Sequence, residues 1–280
     1  MIDMHIHSVF SDGEYTPEKI LEVCNNMNIS TISITDHNEI AGVKKAIENN
    51  RYENLRVISG IELSAASSHG VQKHILGYNM DLNNKELIEI TKLIREEGIK
   101  KIKSILAVLN ELYKISFSEY EIETLFSTVG NIGRPHVAKL LVKYGYASSV
   151  YYAFEDFLEP IDDKVYKKKV RLSTKECIQY IKKAGGIVCH AHPITLKMDI
   201  DQLEDYFREL MNYGLDAVEV YHSDHDKKFV NELDMLTKKL GLYQSVGSDF
   251  HGPTVKPQIK LGRGINDNLN LEYASIIQIL

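Results

Sequence analysis

Two histidines one residue apart, His5-Ile6-His7, stand near the start of the chain. On a strand, side chains at i and i+2 share a face, so both imidazoles point the same way. Other groups able to hold a cation recur downstream: Asp12, Asp36-His37, Glu62, His74, His190-Ala191-His192-Pro193 and Asp249-Phe250-His251-Gly252. Mixed imidazole and carboxylate ligands suit Zn²⁺, Mn²⁺ or Fe²⁺ rather than Ca²⁺. Taken singly, each is as well explained by a buried histidine satisfied through hydrogen bonds. Taken together they predict a shared cation site. Independent structural histidines have no reason to gather at strand ends, and many unpaired imidazoles and carboxylates in one cleft would be costly without cations.

The elements that must position these groups alternate. β-rich runs predict strands over 2–7, 31–35, 56–62, 73–78, 187–192, 217–221, 243–248 and 260–265, with amphipathic helices between most of them. Thr16-Pro17 supplies a cap and a first-turn proline, and Ser173-Thr174-Lys175-Glu176 is a capping box for a helix that stops at Gly185-Gly186. Strand–helix alternation predicts a parallel sheet, most simply a closed barrel, whose active face is the carboxyl ends of its strands. From about residue 83 to 165 no strand is predicted. Leu87, Ile90, Ile94, Ile102, Ile105, Leu109 and Leu112 mark one face of a long helix, Ser118 with Glu121 opens another, and Pro135 begins a third that ends at Gly145. The expected organisation is a barrel domain from 1–82 and 166–280, interrupted by a helical insertion subdomain over 83–165.

With 280 residues the chain has room for about two domains or one large α/β barrel. Hydrophobic residues at 44% and charged residues at 26% exclude collagen-like, mucin-like and disordered classes. Thirty-three basic against 39 acidic side chains give −6, which opposes a broad basic face for duplex nucleic acid but allows a local cationic pocket. Cys24, Cys177 and Cys189 share no C-x-x-C spacing, and reduced, buried thiols in a cytoplasmic protein are expected. There is no apolar run of ~18 residues for a membrane span. The first residues show neither a basic nor an apolar signal region.

In order along the chain, His5-Ile6-His7-Ser8, Ser11-Asp12-Gly13, Thr35-Asp36-His37-Asn38, Gly60-Ile61-Glu62, His74-Ile75-Leu76-Gly77-Tyr78, Ala191-His192-Pro193 and Gly247-Ser248-Asp249-Phe250-His251-Gly252 resemble the motifs of the polymerase-and-histidinol-phosphatase (PHP) family. The resemblance spans nearly the whole chain. It implies an α/β fold, a distorted seven-stranded (β/α) TIM-like barrel, that holds two to three divalent ions (Mn, Zn or Fe) and hydrolyses phosphoesters. Carried over position by position, it implies one ion on His5, His7, Glu62 and Asp249, a second on Glu62, His74 and His192, and a third on Asp12, His37 and His251. Glu62, His192 and Asp249 are then the expected catalytic residues. His190, where the family usually has an apolar residue, is either a supporting group or a substitute ligand, and Asp36 is expected to orient His37 or its turn.

Within the insertion, Ile132-Gly133-Arg134-Pro135-His136-Val137-Ala138 and Ala153-Phe154-Glu155-Asp156-Phe157-Leu158 resemble one subgroup of that family. It acts on nucleoside 3′,5′-bisphosphates, and some members trim short RNA from the 5′ end. The resemblance implies that Arg134 and His136 meet substrate phosphate. Independently, arginine offers phosphate a planar fork of donors, and a proline-opened helix start aims free N–H groups at an anion. The partner expected is thus a small phosphorylated substrate, a nucleotide or short oligonucleotide. Tyr221-His222-Ser223-Asp224-His225 reaches the same rim, so His225 is a candidate substrate contact, with an exposed capping loop as the alternative. The run Lys167-Lys168-Lys169 with Arg171 is either a solvated face or, through Lys168, a receptor for a second phosphate. Tyr15 and Phe250 are either base-stacking groups or ordinary packing. Two other functions compete: a phosphatase for a metabolite such as histidinol phosphate or for phosphotyrosine, and a degenerate barrel serving as a binding module.

Overall fold

The computed structural model describes residues 1–68, 71–168, 170–269 and 274–280. Three parallel strands, β1 (Ile2–Ile6), β2 (Thr31–Ile34) and β3 (Arg56–Ile58), alternate with helices α1 (Pro17–Asn26) and α2 (Ala41–Asn49) and form one sheet in the order β1-β2-β3. β4 (Gly60–Ser68) and β5 (Val71–Tyr78) follow. Helices α3 (Lys85–Tyr113), α4 (Glu119–Thr128), α5 (Arg134–Lys143), α6 (Val150–Ala153) and α7 (Thr174–Lys183) precede β6 (Ile187–His190). Helix α8 (Ile200–Met211), β7 (Ala217–His222), α9 (Lys227–Leu240) and β8 (Tyr243–Gly247) complete a second sheet ordered β4-β5-β6-β7-β8. Among the described residues, no helix is long and apolar enough to cross a membrane.

The expectation of a parallel sheet built from the eight predicted runs is corrected in three places. The 56–62 run is cut at Ser59, so β3 belongs to the first sheet and β4 to the second. β5 runs antiparallel to both β4 and β6. Only residues 69 and 70 separate β4 from β5, too few for the crossover a parallel pair needs. The 260–265 segment is not a strand. Gly262 and Gly264 take φ of +69° and +66°, and only a Lys260–Gly264 bridge remains of the β pattern.

The two sheets meet at both margins. Ile6 bridges Phe250 beyond β8, and His37 bridges Glu62 in β4. Outside the strands, α1 and α2 bury Ile20, Leu21, Cys24, Val43 and Ala46 against Ile6, Ile32 and Ile34. Capping signals act as read: Thr16 accepts from Lys19 N–H, and Ser173 and Glu176 cap each other.

Residues Met1–Glu89 and Leu172–Leu280 form one compact unit and Ile90–Arg171 a second. The first of these borders falls inside α3. The second unit has its own core, with Ile102, Ile105, Leu109, Val137, Leu141 and Leu158 buried together. Leu112, at the end of the predicted apolar face, is 45% exposed.

Candidate metal centre

His5 lies on β1 and His7 just beyond it, and both are wholly buried. Asp36 fixes the loop that follows. Its carboxylate accepts from Ser8 N–H at 2.8 Å, Ser8 Oγ at 2.6 Å and Ser11 Oγ at 2.6 Å. Asp36 therefore organises the loop carrying Asp12. Burial, opposed by these donors, pushes its pKa up to about 6. His37 follows β2, Glu62 sits near the start of β4 and His74 lies midway along β5. β5 runs antiparallel to β6 with Ile75 opposite His190, so His74, whose carbonyl accepts the Ala191 N–H at 3.2 Å, stands level with the end of β6 and joins the group. His192 follows β6, and Asp249 and His251 follow β8.

Glu62 is the hub. Its Oε2 lies 3.4 Å from His5 Nε2, 3.2 Å from His7 Nε2 and 2.9 Å from His37 Nδ1. Its Oε1 lies 2.8 Å from His74 Nδ1 and 3.1 Å from His192 Nε2. The two oxygens of one carboxylate thus face different sets of imidazoles. Asp249 Oδ1 lies 3.1 Å from His7 Nε2 and 3.5 Å from His5 Nε2. Asp12 lies 3.4 Å from His251 Nε2 and 3.9 Å from His37 Nε2. Among the described residues five clusters follow, each with its ligand atoms within 4.8 Å of one another: His5, His7 and Asp249; His5, Glu62 and His192; His5, Glu219 and His222; His37, Glu62 and His74; and His7, Asp12, His37 and His251. Buried Nε2 of His5 and His7, Nδ1 of His37 and Oε2 of Glu62 make no hydrogen bond. Such crowding of unsatisfied nitrogen and oxygen donors fits divalent cations.

The electrostatics of Glu62 and His7 point the same way, whereas at His5 and His37 burial would lower the imidazole but is outweighed by carboxylates: Glu219, Glu62 and Asp249 raise His5, and Glu62 and Asp12 push His37 up to about 9. Burial would raise the Glu62 carboxyl, but His37, His74 and His5 hold it well below the usual range. Burial, reinforced by His251 and His37, pushes His7 down to about 4. Both groups are thereby kept in the ligand form. The backbone is strained at two of these positions, with φ of 26° at His192 and 57° at Asp249. Such conformations cost of order 1–3 kcal/mol each and need support. His192 N–H donates to Glu219 Oε2 at 2.7 Å, and Asp249 N–H donates to the His5 carbonyl at 2.8 Å.

Glu219 was missed by motif reading. It sits wholly buried on β7, accepts from His5 Nδ1 at 2.9 Å and is pulled down to about 2: burial alone would raise it, but His5 and His222 outweigh that. Its only sequence signal is an acid inside the apolar run Ala217-Val218-Glu219-Val220. Gly247 makes room beside it, since a Cβ there would lie 2.2 Å from His5 Cβ. Lys256 was also missed. It reaches Asp249 Oδ2 at 2.5 Å from a loop that carries no motif.

The remaining candidates separate. His190 points away from the cluster and packs against the rings of Tyr206 and Phe207. His225 is buried and donates from Nδ1 to the Val220 carbonyl at 2.9 Å. Tyr15 and Phe250 pack on each other at 5.3 Å, with Phe250 in the core. In the second unit, Arg134 opens α5, stacks 5.4 Å over the Phe154 ring and lies 3.6 Å from Asp162. His136 Nδ1 accepts the Gly133 N–H at 3.1 Å. Lys168 is lowered by burial, with Lys101 and Arg171 beside it. Lys169 lies outside the described residues.

Among known proteins, the 5′-3′ exoribonuclease Rnm of Escherichia coli is 28% identical over 265 residues, covering 93% of this chain and 88% of that protein. The 3′,5′-nucleoside bisphosphate phosphatase of Chromobacterium violaceum is 27% identical over 253 residues, 90% of this chain and 87% of its own. A solved structure from Bifidobacterium adolescentis, assigned as a metal-dependent phosphoesterase, superposes with a TM-score of 0.79 at 26% identity, covering 96% of this chain and 94% of that one. The PHP domain pattern itself matches residues 3–175. With that match across the strands that carry His5, His7, His37, Glu62 and His74, the chain belongs to the PHP domain family.

Proposed function

We propose that this chain hydrolyses phosphomonoesters of small nucleotides, nucleoside 3′,5′-bisphosphates or short oligonucleotides, using two to three divalent ions of Mn, Zn or Fe. The observation that carries this reading is the division of Glu62 between two groups of imidazoles, with Asp249 and Asp12 completing the surroundings. The proposed ligands are His5, His7, Asp12, His37, Glu62, His74, His192, Asp249 and His251. The two sheets, joined at both margins, are read as a distorted barrel in which β3 and β4 make one interrupted stave.

Divalent cations held by these residues would supply charge to neutralise phosphoryl oxygens and would make a water lose its proton near neutral pH, giving a hydroxide nucleophile. The protein's own residues set the stage. Glu62 and Asp249 stay ionised, so each presents full charge to a cation. Glu219 holds the Nδ1 proton of His5, so that in the neutral ring the lone pair sits on Nε2, the arrangement a ligating imidazole needs. Arg134 and His136, at the start of α5, and Lys168 are proposed to bind substrate phosphate, with 83–165 acting as a lid subdomain. Nucleotide rather than metabolite substrates are favoured by two relatives named for nucleotide or RNA chemistry. A degenerate binding module is disfavoured because no expected ligand is missing. The free, buried Cys24, Cys177 and Cys189 support a cytoplasmic setting.

The test is direct. Metal-replete protein is assayed in parallel with a nucleoside 3′,5′-bisphosphate and histidinol phosphate, with bound metal counted by mass spectrometry. Preference for the nucleotide is expected. No turnover of any nucleotide phosphomonoester would sink the reading.

A further inference from the structure

The proton positions of the buried histidines are fixed by what each Nδ1 touches. His5 Nδ1 faces Glu219 Oε1 at 2.9 Å, His225 Nδ1 the Val220 carbonyl at 2.9 Å and His251 Nδ1 the Asp249 carbonyl at 2.8 Å. Those oxygens only accept, so each Nδ1 carries a proton and the neutral ring keeps its lone pair on Nε2. His7 and His192 follow suit through hydroxyls. Ser11 Oγ gives its proton to Asp36 and Thr195 Oγ1 gives its proton to the His192 carbonyl, so each accepts from the imidazole.

His222 is reversed. Its Nδ1 accepts the backbone N–H of Asp224 at 3.1 Å. A peptide N–H only donates, so Nδ1 is bare and the neutral ring carries its proton on Nε2. The ring has little freedom to turn, since His222 ends β7 and packs 5.4 Å from His192 and 5.2 Å from His225. The side chain is 1% exposed, and its Nε2 has no hydrogen-bond partner. The nearest acid, Asp249 Oδ2, is 3.7 Å away, beyond hydrogen-bond reach. A nitrogen holding a proton has no lone pair for a cation. His5, Glu219 and His222 cluster within 4.8 Å, yet they do not make a further metal site in this tautomer. Glu219 is also already engaged by His5 and the His192 N–H.

A buried donor whose nearest acidic acceptor lies 3.7 Å away is poorly satisfied, which is costly unless a ligand supplies a closer acceptor. We propose that His222 Nε2–H donates to an oxygen of the phosphoryl group bound beside Asp249, which makes His222 a substrate-binding residue in a ring of metal ligands. This rests on the phosphoesterase reading above.

The experiment compares wild type, H222Q and H222F as full-length, manganese-loaded protein. Metal per chain is counted by mass spectrometry, inorganic phosphate binding is measured by calorimetry, and folding is checked by circular dichroism. The glutamine amide restores an N–H near the Nε2 position, and the phenyl ring fills the space without one. All three are expected to hold equal metal. H222F should bind phosphate about tenfold more weakly and H222Q within about threefold of wild type, as expected for one hydrogen bond to a charged acceptor. Should H222F not fold, H222L serves as the donor-free variant. Unaltered phosphate binding in the donor-free protein overturns the proposal. So does loss of metal, which would instead make His222 a support for Asp249. Wild-type protein that folds but binds neither manganese nor phosphate overturns the phosphoesterase reading itself, and this proposal with it.

Discussion

His5 Nδ1 lies 2.9 Å from Glu219 Oε1, and neither side chain reaches solvent. The same glutamate, through Oε2, accepts the N–H of His192, whose backbone is held at φ 26°. One carboxylate thus sets the tautomer of one candidate ligand and the backbone of another without being needed as a ligand itself. Glu219→Leu should therefore weaken metal binding about 10- to 100-fold, the usual effect of losing such a support. Glu219→Gln should be milder, since its amide oxygen still accepts one bond. Competition with a metallochromic chelator reads both, and unchanged metal affinity in the leucine variant would contradict this role.

Glu62 and His74 make a contrasting pair. Glu62 faces His5, His7 and His37 with one oxygen and His74 and His192 with the other, whereas His74 reaches Glu62 through Oε1 alone. Glu62→Ala should therefore lose at least one more ion per chain than His74→Ala. Mass spectrometry of the purified variants decides this, and equal stoichiometry would show that Glu62 does not bridge.

The candidate ligands were legible because their spacing survives folding, while their supports were not. His5-Ile6-His7 and His190-Ala191-His192 share the same i, i+2 pattern, yet only the first delivers both rings to the cluster. β6 ends at His190 and the chain then turns sharply at His192, so the second pair splits, with His190 packing on Tyr206. The Ser173–Glu176 capping box, the Ser118 cap and the first sheet follow local rules and were readable. The reversal of β5 was not, because it depends on how few residues join two strands rather than on the pattern within either. Glu219 and Lys256 act over long sequence separations and carry no motif, so only the three-dimensional arrangement brings them to His5 and Asp249.

Arg134 tests the division of labour between the two units. It lies at the start of α5 with its guanidinium over Phe154 and near Asp162. Arg134→Ala should raise KM for a nucleoside bisphosphate by about 10-fold or more, as loss of a charge-assisted pair predicts, with bound metal unchanged. Arg134→Lys should recover part of the loss, because the charge returns without the planar fork. Steady-state kinetics alongside metal counts are the measurement, and loss of metal in Arg134→Ala would break the separation of roles.

His190 gives a prediction about stability and pH. Burial, assisted by nearby His192, pushes its pKa down to about 3, and neither ring nitrogen has a hydrogen-bond partner. In the unfolded chain the imidazole protonates near its ordinary pKa of about 6.5. The unfolded state therefore takes up a proton that the folded state refuses. The contribution to stability is complete above pH of about 6.5 and falls away as pH drops from there toward about 3, at up to about 1.4 kcal/mol per pH unit from this one group. His190→Phe keeps the ring between Tyr206 and Phe207 and removes the titration. Urea unfolding of metal-free wild type and variant between pH 7 and pH 5 should show a shallower loss of stability in the variant, by roughly one proton's worth. Parallel slopes would mean that His190 is protonated in the folded protein and has an acceptor.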